Sequence, residues 1–222
     1  MKFLFKYPTR SRPEQFKRTL AAWKENLSRK HACNFLVTVN VDDELMMNDE
    51  MFDFVKEHRE EIICAPKGAD KIQAMNLGID NMDFDILVAV SDDMIPVWYG
   101  FDDIIAQKMQ QYFPDIDGAL NFFDGKYSNP TCCTLSIMGK KLYDRFGYIY
   151  HPSYKSVFCD NEYTEEAARD GKMVWINECI IKHDWQGDQC DELARVNSKY
   201  WAEDEANFKD RRAKGFPGGL NG

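Results

Sequence analysis

Two adjacent carboxylates, Asp92 and Asp93, follow directly on an apolar, strand-like segment at residues 85–90. Neighbouring carboxylates repel each other, and a divalent cation removes that repulsion while it bridges to the diphosphate of a bound nucleotide. If the chain stays extended, the two side chains point to opposite faces, so one ion binds only one of them unless a turn brings them together. An isolated Asp-Asp pair more often belongs to an exposed loop. The interpretation as a metal site therefore needs support from polar residues at the ends of the other predicted strands.

The first strand-like segment, residues 3–7, leads into a short basic stretch that begins a helix. Ser11 with Glu14 fits a capping box, and Pro13 is typical of a first helical turn. Free backbone N–H groups at this helix start, together with Arg10 and Arg12, would form a phosphate or nucleotide site. A capped helix with two solvated arginines explains the same residues, so this stretch alone leaves both interpretations open.

Two further strand candidates also end in polar residues. Asp42 and Asp43 follow the second candidate, and the third leads to Lys71, with Asn76 a helical turn further on. A carboxylate at the second strand end can accept a hydrogen bond from a base or ribose, while Lys71 can contact a phosphate. Taken singly, Asp42 and Asp43 are more often turn or capping residues.

Two residues of the second half have side chains that could complete an active site. Asp160 introduces a helical segment, where it is a good N-cap, and a carboxylate there could also deprotonate a hydroxyl group. His183 ends a strand-like run. A lone histidine in such a place is more often a hydrogen-bonded structural residue, but it becomes a candidate ligand if a metal binds nearby.

The elements that position these residues alternate in type along the first half of the chain. Apolar runs of strand length are separated by segments with helical periodicity, which predicts a parallel sheet with crossover helices, an α/β fold. The strand candidates are residues 3–7, 35–41, 61–65 and 85–90, and the helix candidates are residues 14–27, 49–58 and 70–79. Ligands of open α/β sheets gather outside the carboxyl ends of parallel strands, where these polar residues would lie.

The second half is less regular. It mixes predicted helices at residues 100–112, 140–146 and 161–169 with predicted strands at residues 119–123, 134–138 and 172–182, followed by a helical tail at residues 191–212. No internal repeat, low-complexity tract or Pro/Gly/Ser linker interrupts the chain, so we expect a single domain.

Composition and charge exclude several classes of protein. With 222 residues, 44% of them hydrophobic and 14% aromatic, the chain can bury a substantial core, and its longest apolar runs are too short to cross a bilayer. Seven cysteines, an odd number without a CxxC pair, predict a reducing, cytoplasmic location. A net charge of −9 disfavours broad affinity for nucleic acid or anionic lipid. The absence of GxGxxG, GxxxxGKS/T, HExxH and GxSxG motifs argues against dinucleotide oxidoreductases, P-loop enzymes, zincins and serine hydrolases.

Taken in order along the chain, these pieces form a pattern. A first strand ends in Thr-Arg-x-Arg-Pro and a second in Asp-Asp; a Lys-x4-Asn-x-Gly-Ile helix, a strand ending in acidic residues, an Asp-x-Glu helix start and a late His follow. This order resembles the nucleotide-sugar-dependent glycosyltransferases of the GT-A fold, most closely family 2, over residues 2–185. The resemblance implies a Rossmann-like, mostly parallel central sheet flanked by helices. Residues 1–98 would bind the nucleotide sugar, residues 99–188 would form the less regular acceptor-binding and catalytic half, and residues 189–222 would be a C-terminal helical tail.

The resemblance also implies a role for each residue of the pattern. The donor-binding residues would be Thr9, Arg10, Arg12, Asp42, Asp43, Lys71, Asn76 and Asp92. Asp93 and His183 would hold Mn²⁺ or Mg²⁺, and Asp160 would be the catalytic base. The Asp-x-Asp motif of the family is not literally present, because Val90 and Ser91 occupy the positions where its first acid would stand. Asp92 or Asp93 is then the direct metal ligand, with Asp93 favoured and the other carboxylate at the ribose or in the outer coordination shell.

The activity that the resemblance implies is transfer of a hexosyl or pentosyl group from a nucleoside-diphosphate sugar, with UDP favoured, to an acceptor hydroxyl. Inversion at the anomeric carbon is expected from Asp160 alone. The acceptor would contact residues 121–126 and 148–154, and it is either a glycan or a hydroxylated DNA base of the kind that phages modify. The alternatives are a nucleotidyltransferase, to whose Gly-rich loop PTRSRP is a poor match, and a catalytically inactive nucleotide- or sugar-binding module.

Overall fold

A seven-stranded sheet forms the centre of the protein in the computed structural model, which describes residues 1–184 and 192–219. A second, smaller sheet has two strands. The strands are β1 (Lys2–Pro8), β2 (Ala32–Asn40), β3 (Glu61–Ala65), β4 (Ile86–Ala89), β5 (Met94–Pro96), β6 (Ala119–Phe122), β7 (Ile137–Gly139), β8 (Met173–Ile176) and β9 (Ile181–His183).

Helices flank the sheet. They are α1 (Pro13–Glu25), α2 (Asp49–Glu57), α3 (Lys71–Asn76), α4 (Phe101–Tyr112), α5 (Lys140–Phe146), α6 (Cys159–Arg169), α7 (Glu192–Ser198) and α8 (Trp201–Ala213), with a 3₁₀ turn at Ile79–Asn81. Helix α1 buries Phe16, Leu20 and Trp23, which recur at helical spacing. Within residues 1–184 and 192–219, no helix combines the length and the apolar character needed to cross a membrane.

Four strands of the large sheet run parallel in the order β3-β2-β1-β4. Strand β7 pairs antiparallel with β4 and with β6, and β8 completes the sheet parallel to β6. The carboxyl ends of β1, β2 and β4 therefore lie side by side, which is where ligands bind in open α/β sheets. This mostly parallel sheet with flanking helices confirms the predicted α/β architecture.

Strand β1 lies at the centre of the core because its side chains are buried on both faces. Phe3, Phe5 and Tyr7 belong to the cluster that includes α1, and the ring centroids of Phe5 and Trp23 are 5.6 Å apart. Leu4 belongs to the cluster on the opposite face. Burial on both faces is typical of a parallel strand covered by helices. The packing therefore fixes the position of the polar loop that follows β1.

Three predicted elements of the second half are wrong in their extent. The strand expected at residues 134–138 is β7, which begins at Ile137 and ends at Gly139. The strand expected at residues 172–182 is two strands, β8 in the large sheet and β9 in the small one, because the exposed polar pair Asn177 and Glu178 interrupts it. The helical tail expected at residues 191–212 is two helices, separated by a turn at residues 199–200. Residues 185–191 and 220–222 lie outside the described residues.

The sequence pattern does not predict β5, because three residues are too few to show a periodicity. Strand β5 pairs antiparallel with β9, and Met94 lies opposite His183 in this pairing. The small sheet therefore brings His183 next to the Asp-Asp pair that follows β4.

Candidate active site

The loop after β1 is held at the end of β2. Ser11 donates to the carboxylate of Asp43 from its backbone N–H, at 2.6 Å, and from its hydroxyl, at 3.2 Å. The predicted capping box of Ser11 with Glu14 is wrong, because the Ser11 hydroxyl is bonded to another residue. Arg12 is the N-cap residue, without a side-chain cap, and Pro13 begins α1 as expected.

Asp92 connects the same loop to the end of β4. Its carboxylate accepts from Arg12 Nη1 at 2.8 Å and from the Thr9 hydroxyl at 3.2 Å, and its carbonyl accepts from Gln15 Nε2 at 2.9 Å. Burial raises the pKa of Asp92 to about 6, although the charge and hydrogen bond of Arg12 oppose the shift. Because the carboxylate of Asp92 is bonded to Arg12 and Thr9, it holds these two side chains in place at the end of the sheet.

Arg10 and Asp42 form an ion pair on the accessible side of this region. The two Nη atoms of Arg10 face the two carboxylate oxygens of Asp42 at 3.4 and 3.3 Å. The exposed fractions of the two side chains are 33% and 23%. The hydrogen bond from Arg10 lowers the pKa of Asp42. Asp42 is therefore accessible to a ligand, whereas its neighbour Asp43 is buried.

A tight turn follows β4 and separates the two adjacent carboxylates. The Met94 N–H donates to the Ser91 carbonyl at 3.1 Å, so Asp92 and Asp93 occupy the two central positions of the turn. Asp92 bonds to the loop after β1. The carboxylate of Asp93 instead lies 3.5 Å from His183 Nε2 and accepts a hydrogen bond from the Ser91 hydroxyl. Burial alone would raise the pKa of Asp93, but the hydrogen bonds from His183 and Ser91 hold it below its usual range.

His183 lies between two carboxylates. Its Nε2 faces Asp93, and its Nδ1 is 3.2 Å from Asp124 Oδ2. Burial alone would lower the pKa of the imidazole, but its hydrogen bonds to Asp124 and Asp93 raise it to about 9. The backbone N–H of His183 also donates to the Asp124 carbonyl, at 2.9 Å. These contacts fix the ring with one nitrogen directed at Asp93.

Asp124 is a site residue that the sequence does not connect to His183. It is 2% exposed, and its Oδ1 accepts from the backbone N–H groups of residues 126, 127 and 128 at 2.8, 2.7 and 3.0 Å. Its Oδ2 accepts from the Thr134 hydroxyl at 2.7 Å. Burial would raise the pKa of Asp124, but the hydrogen bonds from His183 and Thr134 lower it. The Asp-Gly pair in the sequence indicates only a turn, so no local signal identifies this role.

Asp93 and His183 fit a divalent cation. They offer a carboxylate oxygen and an imidazole nitrogen, and the second ring nitrogen of His183 is bonded to a carboxylate, as is usual for histidines that bind metals. Among the residues that the structure describes, no group of three or more Asp, Glu, His or Cys side chains could hold an ion. A cation at this pair would therefore need further oxygen ligands, which a diphosphate and water supply.

Lys71 is the charged group that connects the Asp93 region with Asp160. It is exposed at the first residue of α3, and across residues 1–184 and 192–219 it forms no ion pair. Its positive charge acts to lower the pKa of both Asp93 and Asp160. Lys71 is therefore available to an anionic ligand that lies between these two carboxylates.

Asn76 is bonded to the backbone of the protein. Its Nδ2 donates to the Tyr150 carbonyl at 2.7 Å, and its Oδ1 accepts from the N–H groups of Ile149 and Tyr150 at 2.9 and 3.2 Å. In the structure Asn76 thus connects α3 to residues 149–150. Its predicted contact with the donor stays a prediction.

Asp160 lies in the first turn of α6. Phe158 is the N-cap residue, so the predicted capping role of Asp160 is wrong. Its Oδ1 accepts from the Asn161 N–H at 3.0 Å, and its Oδ2 lies 3.8 Å from Cys132 Sγ. Burial raises the pKa of Asp160, and the charge of Lys71 opposes this shift. A carboxylate with a raised pKa suits a group that takes a proton from a hydroxyl near neutral pH.

Several solved structures have the same arrangement of strands and helices. S. aureus TarS matches with a TM-score of 0.61 at 12% sequence identity, covering 90% of this chain and 39% of TarS. The mannosyltransferase PcManGT from Pyrobaculum calidifontis, in complex with GDP-Man and Mn²⁺, matches with a TM-score of 0.60 at 12% identity, covering 82% and 56% of the two chains. Glucosyl-3-phosphoglycerate synthase from Mycobacterium tuberculosis, in complex with Mn²⁺, UDP and phosphoglyceric acid, gives 0.60 at 10% identity, covering 91% and 78%.

The chain has the GT-A fold. It spans 39% of the length of TarS and 56% of the length of PcManGT. No protein-family model and no curated protein matches the sequence. The GT-A fold is therefore shown by the three-dimensional arrangement of the elements. Within it, the loop after β1, the Asp92-Asp93 turn and His183 lie at the carboxyl ends of the parallel strands.

Proposed function

We propose that this protein is a glycosyltransferase that moves a sugar from a nucleoside-diphosphate sugar to an acceptor hydroxyl. The observation that carries the proposal is the Asp93–His183 pair, backed by Asp124, next to the carboxyl end of β4. Structures with the same fold include complexes with UDP-GlcNAc and with GDP-Man and Mn²⁺. These complexes support a nucleotide-sugar donor, and we favour UDP as its nucleotide.

The donor would bind along the ends of β1, β2 and β4, within residues 1–98. The Arg10–Asp42 pair on the accessible side would contact the base or ribose, and Lys71 would contact a phosphate. Buried Asp43 and Asp92 would hold the loop after β1 in position for these contacts. The residues that we propose form the donor site, by direct contact or by holding the loop after β1, are Thr9, Arg10, Arg12, Asp42, Asp43, Lys71, Asn76 and Asp92.

Asp93 and His183 would hold Mn²⁺ or Mg²⁺. The ion, when bound, supplies positive charge that offsets the negative charge of the departing nucleoside diphosphate. Asp124 would keep His183 oriented through its Nδ1, and Lys71 would add a second positive charge near the phosphates. The turn at Ser91–Met94 separates the two carboxylates, and the Arg12–Asp92 ion pair supports Asp93 as the carboxylate that would bind the ion.

Asp160 would act as the catalytic base. The acceptor oxygen forms a bond to the anomeric carbon while the bond from that carbon to the phosphate oxygen breaks, and the acceptor proton moves to a carboxylate oxygen of Asp160. The displaced electron pair leaves with the nucleoside diphosphate. Attack from the side opposite the leaving group inverts the anomeric configuration, so the configuration of the product tests this role. Retention of the anomeric configuration would show that Asp160 is not the catalytic base.

Residues 99–188 would bind the acceptor, which is a glycan or a hydroxylated DNA base of the phage type. Tyr150 and Tyr154, in the segment predicted to contact it, are buried. Tyr127 is 36% exposed, and its ring lies edge-on to the His183 ring at a centroid distance of 5.9 Å. An aromatic ring in this position could pack against the apolar face of a sugar ring. The net charge of −9 favours the glycan over DNA.

The cysteines suit a reducing compartment. The six cysteines among the described residues are free thiols. Burial raises the pKa of Cys33 and that of Cys132 to about 12, so both thiols stay protonated and weakly reactive at neutral pH. We propose a cytoplasmic location on this basis.

The experiment that tests the proposed function is incubation with a panel of nucleotide sugars, with and without Mn²⁺, followed by measurement of released nucleoside diphosphate. We expect release from at least one donor, and more of it with Mn²⁺. No release from any donor, together with no change in melting temperature on addition of UDP, would contradict the proposal. A change in melting temperature without release would instead support the inactive binding module.

A further inference from the structure

The C-terminal helix α8 is bonded to the segment that leads into α6. Asp204 is fully buried, and its carboxylate accepts from the backbone N–H groups of Lys155, Ser156 and Val157 at 2.9, 2.8 and 2.9 Å. These three residues stand just before the first turn of α6, which contains Asp160. A buried carboxylate with three N–H donors is a strong, directional anchor, because bonds to an ionised acceptor exceed neutral ones in strength.

Phe158, the N-cap residue of α6, is also held by α8. Its φ is 61°, in the left-handed region that residues other than glycine rarely adopt. Its ring stacks on Phe208 at a centroid distance of 5.8 Å and meets Trp201 edge-on at 5.1 Å. Helix α8 therefore supplies the contacts that keep an unfavourable backbone conformation in place two residues before Asp160.

On the other side of Asp160, α8 binds Glu162. Arg211 Nε and Nη2 donate to the two Glu162 oxygens at 2.7 and 2.6 Å, and the Tyr154 hydroxyl donates to Glu162 at 2.7 Å. The exposed fractions are 2% for Glu162 and 8% for Arg211. The contacts from α8 thus lie on both sides of Asp160 in the chain, although none of the hydrogen bonds among the described residues joins Asp160 to that helix directly.

The same segment reaches the proposed donor side. Lys155 Nζ lies 3.3 Å from Asp70 Oδ2, and Asp70 caps α3 directly before Lys71. Residues 155–158 therefore connect α8 with both the proposed base and the proposed phosphate contact.

We propose that Asp204 is a positioning residue for Asp160. By accepting the three N–H bonds of residues 155–157, it sets the entry into α6 and so the place of the Asp160 carboxylate. This inference rests on the proposed function, because it takes Asp160 as the base. The C-terminal tail, to which the resemblance gives no function, would thereby help to form the transferase site.

The test compares Asp204→Asn with Asp210→Asn. Asp210 lies on the same helix, but it is exposed and, among the residues that the structure describes, its carboxylate forms an ion pair with Lys214 alone, so it is a matched control. We expect kcat of Asp204→Asn to fall by about 10²-fold, since a displacement of about 1 Å at a reacting group has an effect of this size. The Kd and KM for the donor should stay within about twofold of wild type, because most of the proposed donor contacts lie at the ends of β1, β2 and β4, and the link from this segment to Lys71 is indirect, through the Lys155–Asp70 ion pair. Asp210→Asn should match wild type in all three constants.

Equal kcat values for Asp204→Asn and Asp210→Asn would overturn the inference, and so would a loss of donor binding as large as the loss of kcat. If Asp204→Asn does not fold, as judged by its melting transition, kcat, Kd and KM are measured for Phe208→Leu instead. This substitution weakens the packing against Phe158 and leaves the Asp204 carboxylate in place, so we expect the same selective loss of kcat. An inactive wild-type protein would contradict the proposed function. An active wild type with an unaffected Asp204→Asn would contradict only the positioning role.

Discussion

The carboxylate of Asp93 lies 3.5 Å from Nε2 of His183, across the two short strands β5 and β9. This relationship distinguishes Asp93 from Asp92, whose carboxylate is bonded to Arg12 and Thr9. Adjacent residues of the same type thus have different environments because a turn directs them to different elements. The contact also joins the turn after β4 to a residue ninety positions later in the chain.

Asp93→Asn should weaken the binding of Mn²⁺ to the protein more than Asp92→Asn does. Loss of an outer partner of a metal ligand reduces metal affinity by about 10–100-fold, and loss of the ligand itself should reduce it at least as much. The Mn²⁺ concentration for half-maximal nucleoside diphosphate release measures the effect. Asp92→Asn is the control, with an unchanged Mn²⁺ requirement, and the opposite order of the two variants would make Asp92 the ligand.

Asp160→Asn should lower the turnover by about 10²–10⁴-fold, the usual contribution of a general base. Binding of UDP should not change, because Asp160 lies in the part of the chain that we propose binds the acceptor. Steady-state kinetics and calorimetry with UDP separate the two effects. Glu165→Gln, on the same helix and paired with Arg212 near the surface, is the control. Turnover of Asp160→Asn close to that of Glu165→Gln would exclude the base role.

The pH dependence of kcat should show the raised pKa of Asp160. The carboxyl group must be ionised to accept a proton, so kcat falls as the pH drops through its pKa, which burial raises above the value of about 4 for an exposed aspartate. Since the charge of Lys71 opposes this shift, Lys71→Met should raise the pKa further and move the acid limb to higher pH. Measurement of kcat against pH at saturating donor, for the wild type and Lys71→Met, checks this. An acid limb that does not move in Lys71→Met, or that moves to lower pH, would contradict the role of Asp160 as the base.

Arg211→Met should destabilise the fold by about 3–5 kcal/mol, because it leaves the buried Glu162 carboxylate without its cation. Lys214→Met, which removes an exposed partner of Asp210 on the same helix, should change the free energy of unfolding by less than about 0.5 kcal/mol. Urea denaturation at neutral pH measures both. Equal values for the two variants would mean that the Arg211–Glu162 pair contributes no more than a surface pair.

The sequence predicts most of the central sheet, because β1 to β4 are apolar runs with clear boundaries. It also predicts which strand ends carry polar residues, and Asp42, Asp92 and Asp93 lie at those ends. It does not predict β5 and its pairing with β9, which are three residues each. The partners of Ser11 and His183 are likewise out of reach, since Asp43 and Asp124 are contacts that only the folded chain creates.

The capping predictions failed for the same physical reason. The Ser11 hydroxyl can bond to its own helix, but Asp43 offers a charged acceptor within the folded protein, and bonds to charged groups are stronger. At α6, contacts from α8 hold Phe158 as the N-cap, so Asp160 lies within the first turn with its carboxylate beside Cys132. Local propensity describes a helix start correctly only where no tertiary partner competes for the side chain.

Calorimetric titration of UDP, with and without Mn²⁺, into the wild-type protein and Asp93→Asn tests whether Asp93 holds an ion that takes part in nucleotide binding, and it needs neither the sugar nor the acceptor. We expect that UDP binds the wild type and that Mn²⁺ strengthens this binding by about tenfold or more, whereas Mn²⁺ has little effect on UDP binding to Asp93→Asn. Absence of UDP binding to the wild type, or an equal effect of Mn²⁺ on both proteins, would contradict this expectation.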